Sequence, residues 1–199
     1  PLDKVIAGKS INDSLRDVEV EDLLGREPVV LNNKEISKFL SSKTVLVTGA
    51  GGSIGSELCR QILKFKPSKL IMLDIYENTL YEVEMELKRK EKNAPIETII
   101  ASVRDKKRID EIFNKYRPQI VFHAAAHKHV PLMENSAVEA IKNNVFGTYN
   151  VVNSSDKYGV EKFTFISTDK AVNPTSIMGA SKRICEMIIQ AKNESSNTI

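Results

Sequence analysis

From residue 43 onward, short apolar runs alternate with longer amphipathic stretches, and this alternation predicts βαβ units that build a parallel sheet. Five runs rich in Val, Ile, Leu or Phe are the expected strands: Thr44 to Thr48, Lys69 to Asp74, Ile96 to Ala101, Gln119 to His123 and Lys162 to Ser167. Between them, Ile54, Leu58 and Ile62 recur at four-residue steps on a first helix. Leu80, Glu84 and Lys88 recur likewise on what is expected to be the wet face of the second. Further helices are expected over Lys106 to Tyr116, Ala137 to Lys157 and Ile177 to Asn193. The fold class is α/β, a doubly wound parallel sheet of the Rossmann kind with strand order 3-2-1-4-5.

Residues 1–42 hold no long periodic pattern and read as an extended arm or linker, with a short helix around Ile36 to Leu40. Asn193 to Asn197 reads as a polar turn, and Thr198-Ile199 as the start of a sixth strand. A nucleotide-binding domain over 43–199 is therefore expected to stop before that strand and before a substrate half. Lys88-Arg89-Lys90-Glu91-Lys92 reads as a cationic helix end beside the negative pole of the helix dipole.

Composition narrows the classes. The 199 residues carry 29 Lys and Arg against 26 Asp and Glu, a net charge of +3, with the basic residues dispersed, which argues against a nucleic-acid partner. No apolar run approaches the roughly 18 residues of a membrane span, and the N-terminus lacks a basic-then-apolar leader, so a cytoplasmic chain without its own membrane contact is expected. Cys59 and Cys185 sit in helical apolar patterns and are expected to be reduced core residues.

Directly after the first strand comes Thr48-Gly49-Ala50-Gly51-Gly52-Ser53-Ile54-Gly55, with Gly49, Gly52 and Gly55 at three-residue spacing and a helix behind them. Glycines permit a tight turn and let backbone N–H groups, including those at Ser53 and Ile54, approach a pyrophosphate at the positive end of the helix dipole. Asp74 ends the second strand, where a carboxylate accepts hydrogen bonds from ribose hydroxyls and repels a 2′-phosphate, favouring NAD over NADP.

The glycine spacing is similar to that of the short-chain dehydrogenase/reductase superfamily, whose other landmarks follow in order. Ser102-Val103 stands where the family places residues against the adenine, with Ser102 replacing the usual Asp. Ala124-Ala125-Ala126 leaves room for the nicotinamide-side ribose and pyrophosphate, Asn144 matches a helix Asn that organises water, and Ser167 is counted with the cofactor contacts. A Tyr four residues before Lys182 is expected in that superfamily, but the position is Met178, and a thioether cannot exchange a proton. Asp169 and Lys170 are the expected substitutes, placed at the end of the fifth strand where adjacent side chains point in different directions.

Glu21-Asp22-Leu23-Leu24-Gly25-Arg26-Glu27-Pro28-Val29, the glycine loop, His123-Ala124-Ala125-Ala126-His127-Lys128-His129-Val130-Pro131, and Ser167-Thr168-Asp169-Lys170 with Met178 and Lys182 together resemble one group. That group is the nucleoside-diphosphate-sugar 4,6-dehydratases of bacterial capsule, O-antigen and protein-glycan biosynthesis, in their long membrane-attached form. The resemblance implies that NAD converts UDP-N-acetylglucosamine to a 4-keto-6-deoxy sugar. It implies that Asp169 protonates the departing C6 hydroxyl, Lys170 removes the C5 proton, Thr168 hydrogen-bonds the C4 oxygen and Lys182 holds the nicotinamide ribose. Lys128 and Asn173 join Thr168 as expected substrate contacts. Met178 either belongs to the catalytic group or fills the volume of the Tyr. A homo-oligomer is expected, with membrane attachment in the parent protein.

No metal site is expected, since His127 and His129 lack a Cys or carboxylate at zinc-like spacing. His123 reads as a hydrogen-bonded core residue. Two readings compete with the dehydratase: a nucleotide-sugar C4 epimerase, expected to keep the Tyr, and a nucleotide-binding module without catalysis.

Overall fold

The computed structural model describes residues 32–198; the arm motif Glu21 to Val29 and Ile199 of the expected sixth strand lie outside them. Five parallel strands, β1 (Thr44–Thr48), β2 (Lys69–Asp74), β3 (Ile96–Ile100), β4 (Ile120–His123) and β5 (Lys162–Phe165), form one sheet in the order β3-β2-β1-β4-β5. The helices are α1 (Asn33–Leu40), α2 (Ser53–Leu63), α3 (Glu77–Lys90), α4 (Lys106–Tyr116), α5 (Val130–Glu134), α6 (Ala137–Ala140), α7 (Gly147–Lys157) and α8 (Ile177–Asn193).

Period-two alternation on the central strand sorts the core into two layers. Val45 and Val47 join Leu70 and Met72 on one face, where Leu40, Cys59, Ile62, Leu80, Val83 and Leu87 cover them from α1, α2 and α3. Leu46 joins Ile71, Leu73 and Val121 on the other, under Ile109, Ile112 and Phe113 of α4 and Val151 of α7. On the inner strands β1, β2 and β4 both faces are covered, which is why they read as continuous apolar runs, whereas the edge strands β3 and β5 are only half-buried. Cys59 and Cys185 are buried free thiols.

Four expectations are corrected. Leu80 is not on a wet face: it is fully buried, and α3 meets the sheet through Leu80, Val83 and Leu87, the i, i+3, i+7 positions, because that stripe gathers the apolar side chains that the four-residue steps to Glu84 and Lys88 miss. Ile54, at the opening of α2, points to solvent with 56% of its surface exposed, while Cys59, Ile62 and Leu63 form the buried side. The helix expected over Ala137 to Lys157 is continuous, but its middle, Ile141–Phe146, is wound as a π-helix. Lastly, β3 stops at Ile100, β4 starts at Ile120 and β5 stops at Phe165, so Ser167 lies beyond its strand.

Local signals set several boundaries. Asp105 caps α4 by accepting the Arg108 N–H at 3.0 Å, and Ser176 caps α8 by accepting the Gly179 N–H at 3.1 Å. Lys88, Arg89 and Lys90 occupy the last turn of α3, at the negative end of its dipole. Among the described residues no helix is long and apolar enough to cross a membrane.

Candidate active site

The glycine loop leaves β1 and enters α2 above the C-terminal end of the sheet. Gly49 has φ +70°, and a Cβ there would come within 2.7 Å of the Ala125 nitrogen, so only glycine lets the loop lie against the segment leaving β4. The N-cap Gly52 offers no side-chain cap to the first turn of α2, leaving N–H groups of a helix N-terminus turned toward the loop.

A cleft of about 400 Å³ opens over this loop. Gly49, Gly52, Asp74, Ser102, Val103, Ala124, Ala125 and Ala126, from four separate stretches of sequence, all line it. Gly55 is buried behind the loop, and Ser53 and Ile54 are exposed at the helix opening without lining the cleft. Asp74 is only 8% exposed, and its Oδ2 accepts the Gly51 N–H at 2.8 Å while Oδ1 accepts the Tyr76 N–H at 3.0 Å. The Ser102 hydroxyl accepts the Arg104 N–H at 3.2 Å. An uncapped helix N-terminus, a carboxylate at the far end and small side chains between them suit a dinucleotide.

Asn144 is 1% exposed and lies within the π-helix rather than in the cleft. Its Oδ1 accepts the His127 N–H at 2.8 Å, and its Nδ2 donates to the His127 carbonyl at 3.0 Å and to the Ser181 hydroxyl at 2.9 Å. The amide thereby ties the cleft wall at His127 to α8. His123 makes a second buried strut, with Nδ1 at 2.6 Å from the Thr48 hydroxyl and Nε2 at 3.0 Å from that of Thr148. Burial, assisted by the Lys182 charge, pushes its pKa down to about 3, so the ring is neutral.

Lys128 lies between β4 and α5, and the other remaining expected site residues gather beyond β5, outside the cleft lining. Asp169 and Lys170 are not the divergent residues of a strand end. The strand stops at Phe165, and a 3₁₀ turn over Asp169–Ala171, capped by the Thr168 hydroxyl, replaces the alternating backbone. The Lys170 ammonium therefore turns onto its neighbour, 3.2 Å from Asp169 Oδ1, with the two side chains 54% and 83% exposed. The Thr168 hydroxyl donates to the same oxygen at 2.9 Å, and with Lys170 it holds the Asp169 carboxyl below the usual carboxylate range. The turn sits on α8 at Gly179, where a Cβ would collide with the Lys170 carbonyl oxygen.

Lys182, 6% exposed, donates to the Ile166 carbonyl at 2.5 Å and lies 3.8 Å from the Phe165 ring centroid. Desolvation lowers its pKa to about 8. Met178 is 4% exposed in an apolar cluster with Met133 and Ala140, flanked by Val130 and Ile177. Its thioether fills space and has no proton to exchange. Lys128 and Asn173 are both exposed, the latter with φ +48°. Gly51, whose N–H pins Asp74, and Gly179, which seats the turn, are site residues not among those expected. Gly51 was visible in the same glycine run, whereas Gly179 carries no local signal because its partner is a carbonyl nine residues earlier. Among the described residues no group of three or more His, Cys, Asp or Glu side chains is arranged to hold a metal ion.

Comparison with known proteins places this site in context. The family model described as "Polysaccharide biosynthesis protein" matches residues 45–199. The chain is 53% identical over 194 residues to the capsular polysaccharide biosynthesis protein CapD of Staphylococcus aureus, covering 97% of this chain and 32% of that protein. It is 36% identical over 157 residues to an inverting UDP-N-acetylglucosamine 4,6-dehydratase of Campylobacter jejuni, covering 78% of this chain and 45% of that enzyme. It is also 39% identical over 154 residues to a UDP-glucose 4-epimerase of Rickettsia rickettsii, covering 75% and 43%. Among solved structures, Pen from Bacillus thuringiensis superposes with a TM-score of 0.74 at 31% identity, covering 80% of this chain and 50% of that one. The chain thus spans between about a third and just under half of the length of these curated relatives. With the parallel sheet, the glycine-loop cleft and a family match over most of its length, the chain belongs to the polysaccharide biosynthesis protein family.

Proposed function

We propose that the protein carrying this chain is an NAD-dependent 4,6-dehydratase of a UDP-sugar, UDP-N-acetylglucosamine being the first candidate, acting in bacterial polysaccharide synthesis. The observation that carries this reading is the Thr168-Asp169-Lys170 turn, an acid and a base side by side beyond β5, beside a helix whose would-be Tyr is a buried Met178. NAD would lie along the cleft from Asp74 to Ala126, with Ser167 and Lys182 at the nicotinamide side. When bound, it would supply the hydride acceptor and donor that the conversion at C4 and C6 needs.

The chain's own residues would handle the two protons of the elimination. A C4 ketone acidifies C5–H, so water can leave across C5–C6 with one base and one acid. Lys170 would take the C5 proton and Asp169 would protonate the departing C6 oxygen, while Thr168 orients the C4 oxygen. Lys182 would hold the ribose. The resting ion pair has the correct proton count: moving its one shared proton from Lys170 to Asp169 yields the neutral acid and neutral base that the elimination consumes, and the elimination restores the ion pair. In water that shift is uphill. A sugar that covers both groups disfavours the charged form and brings the neutral one within reach. Lys128 and Asn173 remain substrate contacts in this proposal.

A C4 epimerase is the second reading, favoured by the Rickettsia relative. Both reactions begin by oxidising C4, so the missing Tyr does not separate them; the Asp169-Lys170 pair does, because an epimerase eliminates nothing and has no use for an acid and a base beyond β5. The test is to incubate the protein, at the length of its relatives, with UDP-N-acetylglucosamine and NAD and to weigh the sugar nucleotide. Loss of one water supports the dehydratase; an epimer of unchanged mass overturns it.

A further inference from the structure

Helix α8 grips the chain leaving β5 at three points on one face. Gly179, Lys182 and Glu186 stand at i, i+3 and i+7, neighbours along a helix surface. Gly179 seats the Lys170 carbonyl, and Lys182 donates to the Ile166 carbonyl. Glu186 makes the third contact: its Oε1 accepts the Ser167 hydroxyl at 2.5 Å, and its Oε2 accepts from Arg183 at 2.9 Å. Only 23% of its side chain is exposed. We propose that Glu186 is a positioning residue of this site, fixing the Ser167–Lys170 segment through the Ser167 hydroxyl and serving as the counter-charge of Lys182. What that segment does chemically rests on the dehydratase reading; the placement of Glu186 does not.

The electrostatics have few contributors. Facing Lys182 are Cys185 and Glu186 from its own helix and, behind the Phe165 ring, His123, which is neutral; Asp169 and Lys170 on the adjoining turn are paired with each other. Arg183 lies on the far oxygen of Glu186. Desolvation drives Lys182 toward the neutral amine, and Cys185 and the Glu186 carboxylate oppose it. The Ser167 bond and the negative charge one helical turn from Lys182 are separable: Gln retains an acceptor for Ser167 without charge, and Ala removes both.

The test needs no sugar and no cofactor. In the 199-residue chain labelled with ¹³C-lysine, the Lys182 Cε signal, assigned by its loss in Lys182→Arg, is followed against pH, and amide hydrogen exchange is read at residues 166, 170, 171 and 172. Glu186→Gln should lower the Lys182 midpoint by roughly half to one pH unit and leave exchange unchanged. Glu186→Ala should lower it equally and speed exchange by roughly ten- to a hundredfold, the weight of one hydrogen bond to a charged group. A Lys182 midpoint unmoved in both variants, or exchange no faster in Glu186→Ala, overturns the proposal. Failure of the dehydratase reading would instead appear as absent water loss with both readouts intact.

Discussion

Asp74 reaches back to the glycine loop 23 residues before it and accepts the Gly51 N–H at 2.8 Å. The carboxylate that closes the cleft therefore also holds the loop that forms its floor. Asp74→Ala should cost on the order of 1.5–3 kcal/mol for one charge-assisted hydrogen bond and weaken NAD binding by roughly tenfold or more. Calorimetric titration of the variant checks this, and undiminished affinity would remove the reason for choosing NAD.

The strand-exit pair should be separable from its helix neighbour. Asp169→Asn and Lys170→Met should each abolish loss of water from the UDP-sugar while NAD still binds. Met178→Leu, a volume-conserving change in an apolar cluster, should keep turnover and cost less than about 1.5 kcal/mol in stability. Full turnover by either strand-exit variant would sink the proton assignments.

Gly179→Ala tests the seat of the turn. Alanine is the better helix former by about 1 kcal/mol, so helix propensity alone predicts a stabler protein. The added Cβ would strike the Lys170 carbonyl, and we expect the turn to shift, turnover to fall and the amides of residues 170–172 to exchange faster. A stabler variant with native exchange there would show that the turn does not need glycine beneath it.

His123 should make stability fall in acid. Its folded pKa of about 3 lies below the unfolded value of about 6.5, so the unfolded chain binds the proton first. The stability it contributes is complete above about pH 6.5 and is lost as pH falls toward 3. At about 1.4 kcal/mol per pH unit, the native protein should lose about 2 kcal/mol more between pH 7.5 and 5 than His123→Gln does, measured by urea unfolding. Equal losses in the two proteins would mean that His123 is not held neutral.

Period and local punctuation determined much by themselves. The ends of β1, β2, α4 and α8 follow from apolar runs and from caps such as Asp105 and Ser176, because these are set by residues within a few positions of one another. The glycine loop and Asp74 were legible for the same reason: motif, strand and helix adjoin in the chain. Tertiary structure alone decided which stripe of α3 is buried, where the long helix is π-wound, and how Asp169 and Lys170 turn toward each other. Leu80 is buried because a sheet lies beneath it, Asn144 bonds both His127 and Ser181, and the turn rests on Gly179. Each of these depends on partners brought together by packing, and no local propensity encodes a contact whose other half lies elsewhere in the chain.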